Sequence, residues 1–263
     1  MLFFGKSDIG KKRATNQDNF ITLKLCVNLI LCVICDGMGG VHGGSIASEL
    51  AISSFTEFIK VNLAPYIDTE RAVFNAASAA SAGIEYGALL AGAVGEANAA
   101  VKARSKNDHS LDGMGTTLLA ALIVDNILYI ANVGDSRLYF ISGGEIKQIT
   151  RDHSYVQYLV DIGKITQEEA ASSPYKNIIT RAVGTDDEID ADIFKLEYNS
   201  GALLMCSDGL YNVTEPELYI KLAGDIRDPE SLACAVNKLI EHANDNGGPD
   251  NITAVIIKND NDI

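Results

Sequence analysis

The sequence predicts an α+β domain built in layers, with antiparallel sheet packed on sheet inside and helices outside. Three observations carry that prediction. Short apolar runs separated by tight-turn residues follow one another from Thr116 to Ile149, the pattern of an antiparallel meander and not of a βαβ unit. Two blocks with helical apolar spacing flank it, one opening near residue 43 and one near residue 228. No linker, repeat or low-complexity stretch divides the 263 residues, so one domain spanning 1–263 is expected, long enough for a sizeable core.

In chain order, Phe20 to Asp36 reads as two strands meeting around Val27-Asn28, the second apolar throughout and therefore buried on both faces. Gly43-Gly44-Ser45 opens a helix whose apolar side is Ile46, Ala47, Leu50, Ala51, Phe55, Phe58 and Ile59. A second long helix is expected over much of Glu70 to Arg104. Strands follow at Thr117–Val124 and Ile127–Val133 around the turn Asp125-Asn126. Two more, Leu138–Ile141 and Glu145–Ile149, surround Ser142-Gly143-Gly144. Thr166 and Glu169 form a capping box for a short helix. Leu203–Cys206 is a strand running into Asp208. Asp228-Pro229 starts a helix, cap then proline, with Leu232, Val236, Leu239, Ile240 and Ala243 on its apolar side. Ile252–Ile257 closes the domain as a strand.

Composition narrows the function. A net charge of −14 argues against nucleic acid as a partner, because phosphate backbones require a Lys/Arg surplus. No apolar run approaches membrane-spanning length, and Met1-Leu2-Phe3-Phe4 is too short for a secretory leader, so no membrane association is expected. The five cysteines are odd in number and mostly sit in strand-like runs. Cys32 and Cys35 have a CxxC spacing, but in a strand they point to opposite faces, which is unsuited to zinc. Reduced, buried thiols and a cytoplasmic location follow.

The informative feature is a set of aspartates beside glycine or at strand ends: Asp18 in Asn16-Gln17-Asp18, Asp36 in Asp36-Gly37-Met38-Gly39-Gly40, Asp208 in Ser207-Asp208-Gly209, and Asp250 in Gly247-Gly248-Pro249-Asp250-Asn251. A carboxylate at a strand end beside glycine is a hard oxygen ligand on a rigid mount, and Mg²⁺ and Mn²⁺ prefer such oxygens. Each aspartate alone fits an ordinary turn; several together point to divalent metal.

Taken in order, these segments together with Arg13 in Lys11-Lys12-Arg13, Gly115-Thr116-Thr117 and Gly134-Asp135-Ser136-Arg137 resemble the motif series of the metal-dependent protein phosphatases of type 2C, over nearly the whole chain. Met38, Val156-Gln157 and the run Ile165 to Ala170 resemble the bacterial branch, whose members oppose serine/threonine kinases. The resemblance implies a central sandwich of two antiparallel β-sheets flanked by α-helices, with metal at one edge. It implies that Asp36 bridges two Mn²⁺ or Mg²⁺ ions, that the Gly37 carbonyl binds one, and that Asp208 and Asp250 bind the other. Asp18 would ligate or orient metal-bound water, and Asp135 with Asp208 would hold a third, weaker ion. Arg13 matches the arginine that grips the substrate phosphate, a role suited to its planar charged fork.

The implied reaction is hydrolysis of phosphoserine and phosphothreonine in proteins by in-line attack of a water or hydroxide bridging the two ions, whose charge lowers the water pKa. The implied partners are phosphoproteins, including a cognate serine/threonine kinase, and the implied state is a monomer. The alternative of another class is a non-catalytic phosphoprotein-binding module on the same fold. Two positions depart from the family pattern: Gln17 stands where glutamate is common, and Met38 where some eukaryotic relatives carry a histidine. Ser172-Ser173-Pro174 lacks the histidine that often precedes proline in the bacterial flap. His153, Thr180 and Arg181 fall near that flap, and His153 is given no catalytic step.

Overall fold

A computed structural model describes residues 1–259. The first strand, β1 (Leu2–Asp8), was not foreseen. It runs antiparallel to the final strand, with Leu2 opposite Lys258 and Asp8 opposite Ile252. β2 (Asp18–Cys26) and β3 (Leu29–Met38) form the expected hairpin. α1 (Gly40–Leu63) starts three residues before the Gly43 expected from the apolar spacing. Its first turn is polar and glycine-rich, so periodicity gives no signal there.

The long helix expected over 70–104 is instead a small hairpin, β4 (Ile67–Asp68) with β5 (Val73–Phe74), then α2 (Ala76–Ser81) and α3 (Tyr86–Lys106). Caps divide it. Asn75 accepts the Ser78 amide at the start of α2, and Glu85 accepts the Gly87 and Ala88 amides at the start of α3.

β6 (Gly115–Thr116), β7 (Leu118–Val124), β8 (Ile127–Val133), β9 (Arg137–Ser142) and β10 (Glu145–Gln148) come next. They are antiparallel, as expected, but do not form one continuous meander: β7 pairs with β8 in one sheet and β9 with β10 in the other. Gly134, with φ of 103°, turns the chain between the sheets, in a backbone conformation that glycine favours. α4 (Tyr155–Asp161) precedes α5 (Gln167–Ser172), which has the expected Thr166–Glu169 capping box. β11 (Asp192–Glu197), β12 (Gly201–Cys206), α6 (Asp208–Tyr211), α7 (Pro216–Gly224), α8 (Pro229–Asp245) and β13 (Ile252–Asn259) complete the chain.

One sheet has the order β1-β13-β12-β9-β10 and the other β11-β8-β7-β3-β2. Strand alternation then makes the layers. Ile30, Cys32 and Ile34 of β3 face Leu203, Met205, Val255 and Ile257 across the sandwich interior. Leu29, Leu31, Val33 and Cys35 point the other way, onto Phe55 and Ile59 of α1 and Leu90 and Val94 of α3. On the far side, Leu204, Cys206, Ala254 and Ile256 pack on Leu232, Val236, Leu239 and Ile240 of α8. The result is four layers, helix–sheet–sheet–helix. Cys32 and Cys35 indeed lie in different layers, and all five cysteines are unpaired. Among the described residues, no helix is long and apolar enough to cross a membrane.

Candidate metal centre

The end of the sandwich where β2 begins, β3 ends and β12 runs into α6 gathers the aspartates singled out in the sequence. The register places Asp18, first residue of β2, directly opposite Asp36 near the end of β3. Asp208 opens α6 immediately after β12, and Asp250 lies two residues before β13, the neighbour of β12. Asp135 follows the Gly134 turn at the end of β8. A cleft of about 540 Å³ is walled by Arg13, Gln17, Asp36, Gly37, Asp135, Asp208 and Asp250, with Asn177 and Ile179 on the opposite rim. Asp18 stands behind this wall.

Each aspartate is held in its own way. The Asp36 amide donates to Thr117 Oγ1 at 2.9 Å, and its carbonyl accepts from the Thr116 hydroxyl and the Thr117 amide. These bonds fix the backbone and leave the carboxylate free to face the cleft. Gly37 packs so closely on Gly44 and the Gln17 carbonyl that a Cβ would collide with backbone, which keeps its own carbonyl at the cleft. Asp18, 4% exposed, accepts on Oδ2 from Ser207 Oγ at 2.7 Å and Thr253 Oγ1 at 2.6 Å. Its Oδ1 is buried without a partner, and so is Asp208 Oδ1.

Electrostatics point the same way. Burial, and then repulsion from Asp18, Asp208, Asp135 and Asp250, hold the Asp36 carboxyl well above the ordinary carboxylate range. Burial, then Asp135, Asp250 and Asp18, do the same for Asp208. Burial pushes Asp18 up to about 6 against its two hydroxyl donors, and burial with repulsion from Asp152 pushes Asp135 up to about 6. A buried carboxylate oxygen without a donor is costly. Several in one place, repelling one another, form a site whose missing partner is positive charge.

Among the described residues no three His, Cys, Asp or Glu side chains stand close enough together to hold one metal ion as they are. Mg²⁺ keeps several waters and takes few carboxylates, so an open ring of acids around a wet cleft suits it better than a cage. The hard oxygen donors also suit Mn²⁺ and disfavour zinc or copper.

Arg13 lies at the mouth of the cleft, where it is already engaged. Its guanidinium donates to Asp250 Oδ2 at 2.7 Å, which raises its pKa further. Asp135 forms no ion pair with Arg137, two residues further on. Arg137 instead binds both oxygens of Asp152, at 2.7 and 3.1 Å, and lies over the Tyr211 ring at 3.7 Å. His153 accepts the Gly134 amide on Nδ1, and its Nε2 stands 3.2 Å from Asp192, a structural role consistent with giving it no catalytic step. His42 is exposed.

Sequence reasoning missed the residues that hold the aspartates. Asn251 accepts the Gln17 amide and donates to the carbonyls of Ile9 and Thr15, fastening the Arg13 loop to the start of β13. Ser207 and Thr253 secure Asp18. The signal for Ser207 and Asn251 was their adjacency to Asp208 and Asp250; nothing local marked Thr253.

Comparison with known proteins fits this geometry. A family model described as Protein phosphatase 2C matches residues 5–256. The serine/threonine phosphatase stp of Listeria monocytogenes serotype 4b is 33% identical over 256 residues, covering 97% of this chain and 94% of that protein. The crystal structure of the Mycobacterium tuberculosis serine/threonine phosphatase PstP/Ppp superposes with a TM-score of 0.80 at 34% identity, covering 97% of both chains. The catalytic domain of the serine/threonine protein phosphatase PstP in complex with two manganese ions superposes with a TM-score of 0.77 at 33% identity, covering 97% of this chain and 96% of that one.

Proposed function

The chain belongs to the protein phosphatase 2C family, whose members are metal-dependent serine/threonine phosphatases, and from that membership we propose which of its residues carry the reaction. The observation that carries the proposal is the ring of Asp36, Asp135, Asp208 and Asp250 around one cleft, backed by Asp18, with two buried carboxylate oxygens lacking any donor. Asp36 and the Gly37 carbonyl would hold one Mn²⁺ or Mg²⁺ ion, and Asp36, Asp208 and Asp250 a second. Asp135 with Asp208 would hold a third. When bound, such ions activate water and neutralise phosphate charge in an in-line displacement.

The protein's own residues do the rest. Ser207 and Thr253 orient the Asp18 carboxyl, which stands opposite Asp36 in the strand register. Arg13 presents a permanently charged fork at the mouth, held there by Asp250 and by the loop that Asn251 fastens. A phosphate dianion entering the cleft competes with Asp250 for that fork, which suits Arg13 to substrate binding rather than to chemistry. Met38 and Gln17 offer no acid to the departing alkoxide.

Substrates are phosphoproteins. We assign a cognate serine/threonine kinase among them, a monomeric state, one domain and a cytoplasmic location, the last supported by five unpaired cysteines. The non-catalytic alternative has no support, since the relatives carry phosphatase names and every expected carboxylate is present. The test is phosphate release from a phosphothreonine peptide with Mn²⁺, Mg²⁺ or excess EDTA. Release with either metal and none in EDTA is expected. Peptide binding without release under every metal would overturn the reading.

A further inference from the structure

Eleven large hydrophobic side chains are exposed among the described residues, and five of them crowd into one segment: Tyr155, Tyr158, Ile162, Tyr175 and Ile178. The others are scattered singly, which is normal for a soluble surface. Tyr155 and Tyr158 of α4 and Ile162, which caps its C-terminus, recur at i, i+3 and i+7 and so lie along one face, whereas Val156 on the inner side is 8% exposed. Tyr175 stacks edge-on against Tyr155 with ring centroids 6.2 Å apart, and the Tyr155 amide donates to the Ile178 carbonyl at 2.8 Å. The five side chains therefore form one patch, an apolar helix face turned outward. Clusters of this kind mark interaction sites.

The patch is continuous with the cleft. Asn177 and Ile179, which flank Ile178 in sequence, line the cleft wall. The patch thus begins one residue from the catalytic mouth and extends along α4, about 10 Å for seven residues. An extended chain advances about 3.3 Å per residue. A polypeptide with its phosphate in the cleft would therefore lay residues about two to five positions away over these tyrosines.

We propose that the aromatic–aliphatic face formed by Tyr155, Tyr158, Ile162, Tyr175 and Ile178 is the docking surface for the substrate phosphoprotein, selecting apolar or aromatic residues that flank the phosphorylated one. The proposal rests on the phosphatase reading and deepens it. Two features favour a substrate chain over a second copy of this protein: the patch runs straight into the cleft, and the net charge of −14 makes two copies repel. Tyrosine supplies large, rigid contact area with little entropy to lose, which fits capture of an extended peptide.

The test compares wild type with the double variant Tyr158→Ser/Tyr175→Ser, neither residue being part of the metal cleft. Two fluorescent phosphothreonine peptides are used, one with leucine and phenylalanine flanking the phosphorylated residue and one with serines there. Anisotropy reports binding, and turnover of p-nitrophenyl phosphate, which has no flanks, reports the cleft alone. Wild type should bind the apolar peptide about tenfold more tightly than the serine peptide, the effect of burying roughly one large apolar side chain. The double variant should lose that preference and keep p-nitrophenyl phosphate turnover. Equal affinity of wild type for the two peptides, or a preference that survives the substitutions, overturns the proposal. A wild-type dimer by sedimentation that the variant converts to monomer overturns it in favour of a second copy. Absence of p-nitrophenyl phosphate turnover with every metal would count against the phosphatase reading, while the binding arm still decides the patch.

Discussion

Asp135→Asn should change how the metal-free protein responds to pH. Burial and the neighbouring Asp152 push the Asp135 carboxyl up to about 6 from an ordinary 3.8. An acid whose pKa is higher in the folded than in the unfolded chain binds more protons when folded. Its contribution to stability is therefore full below the unfolded value and is lost as pH rises through the folded value. Between about pH 5 and about pH 7.5 that loss integrates to about 1.4 kcal/mol. Asparagine has the same shape and does not titrate. Thermal unfolding in EDTA should show wild type losing about 1.4 kcal/mol more than the variant across this window, a change of about 3–6 °C in their melting-temperature gap. Saturating Mn²⁺ should suppress the wild-type loss, because an ion holds the carboxylate in its charged form. A gap that does not move with pH in EDTA, or that moves the other way, would refute the argument that these carboxylates are buried against their own charge.

Other substitutions separate binding, chemistry and scaffold. Asp208→Asn should abolish phosphate release at any Mn²⁺ concentration tested and leave the circular dichroism spectrum native; full activity would remove Asp208 from the site. Arg13→Ala should raise KM by about tenfold, the worth of a charge-assisted hydrogen bond, with little change in kcat; an unchanged KM would mean its only role is the Asp250 pair seen at the mouth. Asp152→Ala should cost about 2–3 kcal/mol in urea unfolding, because it strands the half-buried Arg137 guanidinium between Tyr139 and Tyr211; a loss below about 1 kcal/mol would show that water compensates Arg137.

Most of the fold was legible where pattern and burial agree. The run Leu29 to Cys35 is apolar at every position because it feeds two layers at once, and it read correctly as a strand buried on both faces. The 228–245 helix announced itself by cap, proline and apolar spacing. The failures have physical causes. Alanine-rich sequence from 72 to 103 has no period strong enough to reveal a break, and the caps Asn75 and Glu85 that divide it are ordinary polar residues. β1 was lost because four apolar residues beside a chain end give no local sign of a partner 250 residues away. β11 went unread although Ile193, Phe194 and Leu196 lie in a short alternating stretch, because Asp and Glu bracket it.

The site was legible as pieces and not as an assembly. Each Asp beside glycine or at a strand end is a local signal, whereas the opposition of Asp18 and Asp36 comes from strand register, which no single segment encodes. The pairing of Arg13 with Asp250 spans 237 positions and depends on Asn251 fastening the intervening loop. The tyrosines of α4 carried no motif at all. Only exposure in the folded chain sets them apart from core residues.

The central claim is that the cleft is a two-ion site built from Asp36, Asp208 and Asp250. Calorimetric titration of EDTA-stripped protein with Mn²⁺ alone, beside the Asp36→Asn variant, tests it most directly. The account predicts at least two ions bound by wild type, with proton release at neutral pH as the raised carboxyls ionise, and loss of that binding in the variant. Wild type that takes up no Mn²⁺, or a variant that binds as wild type does, would contradict it.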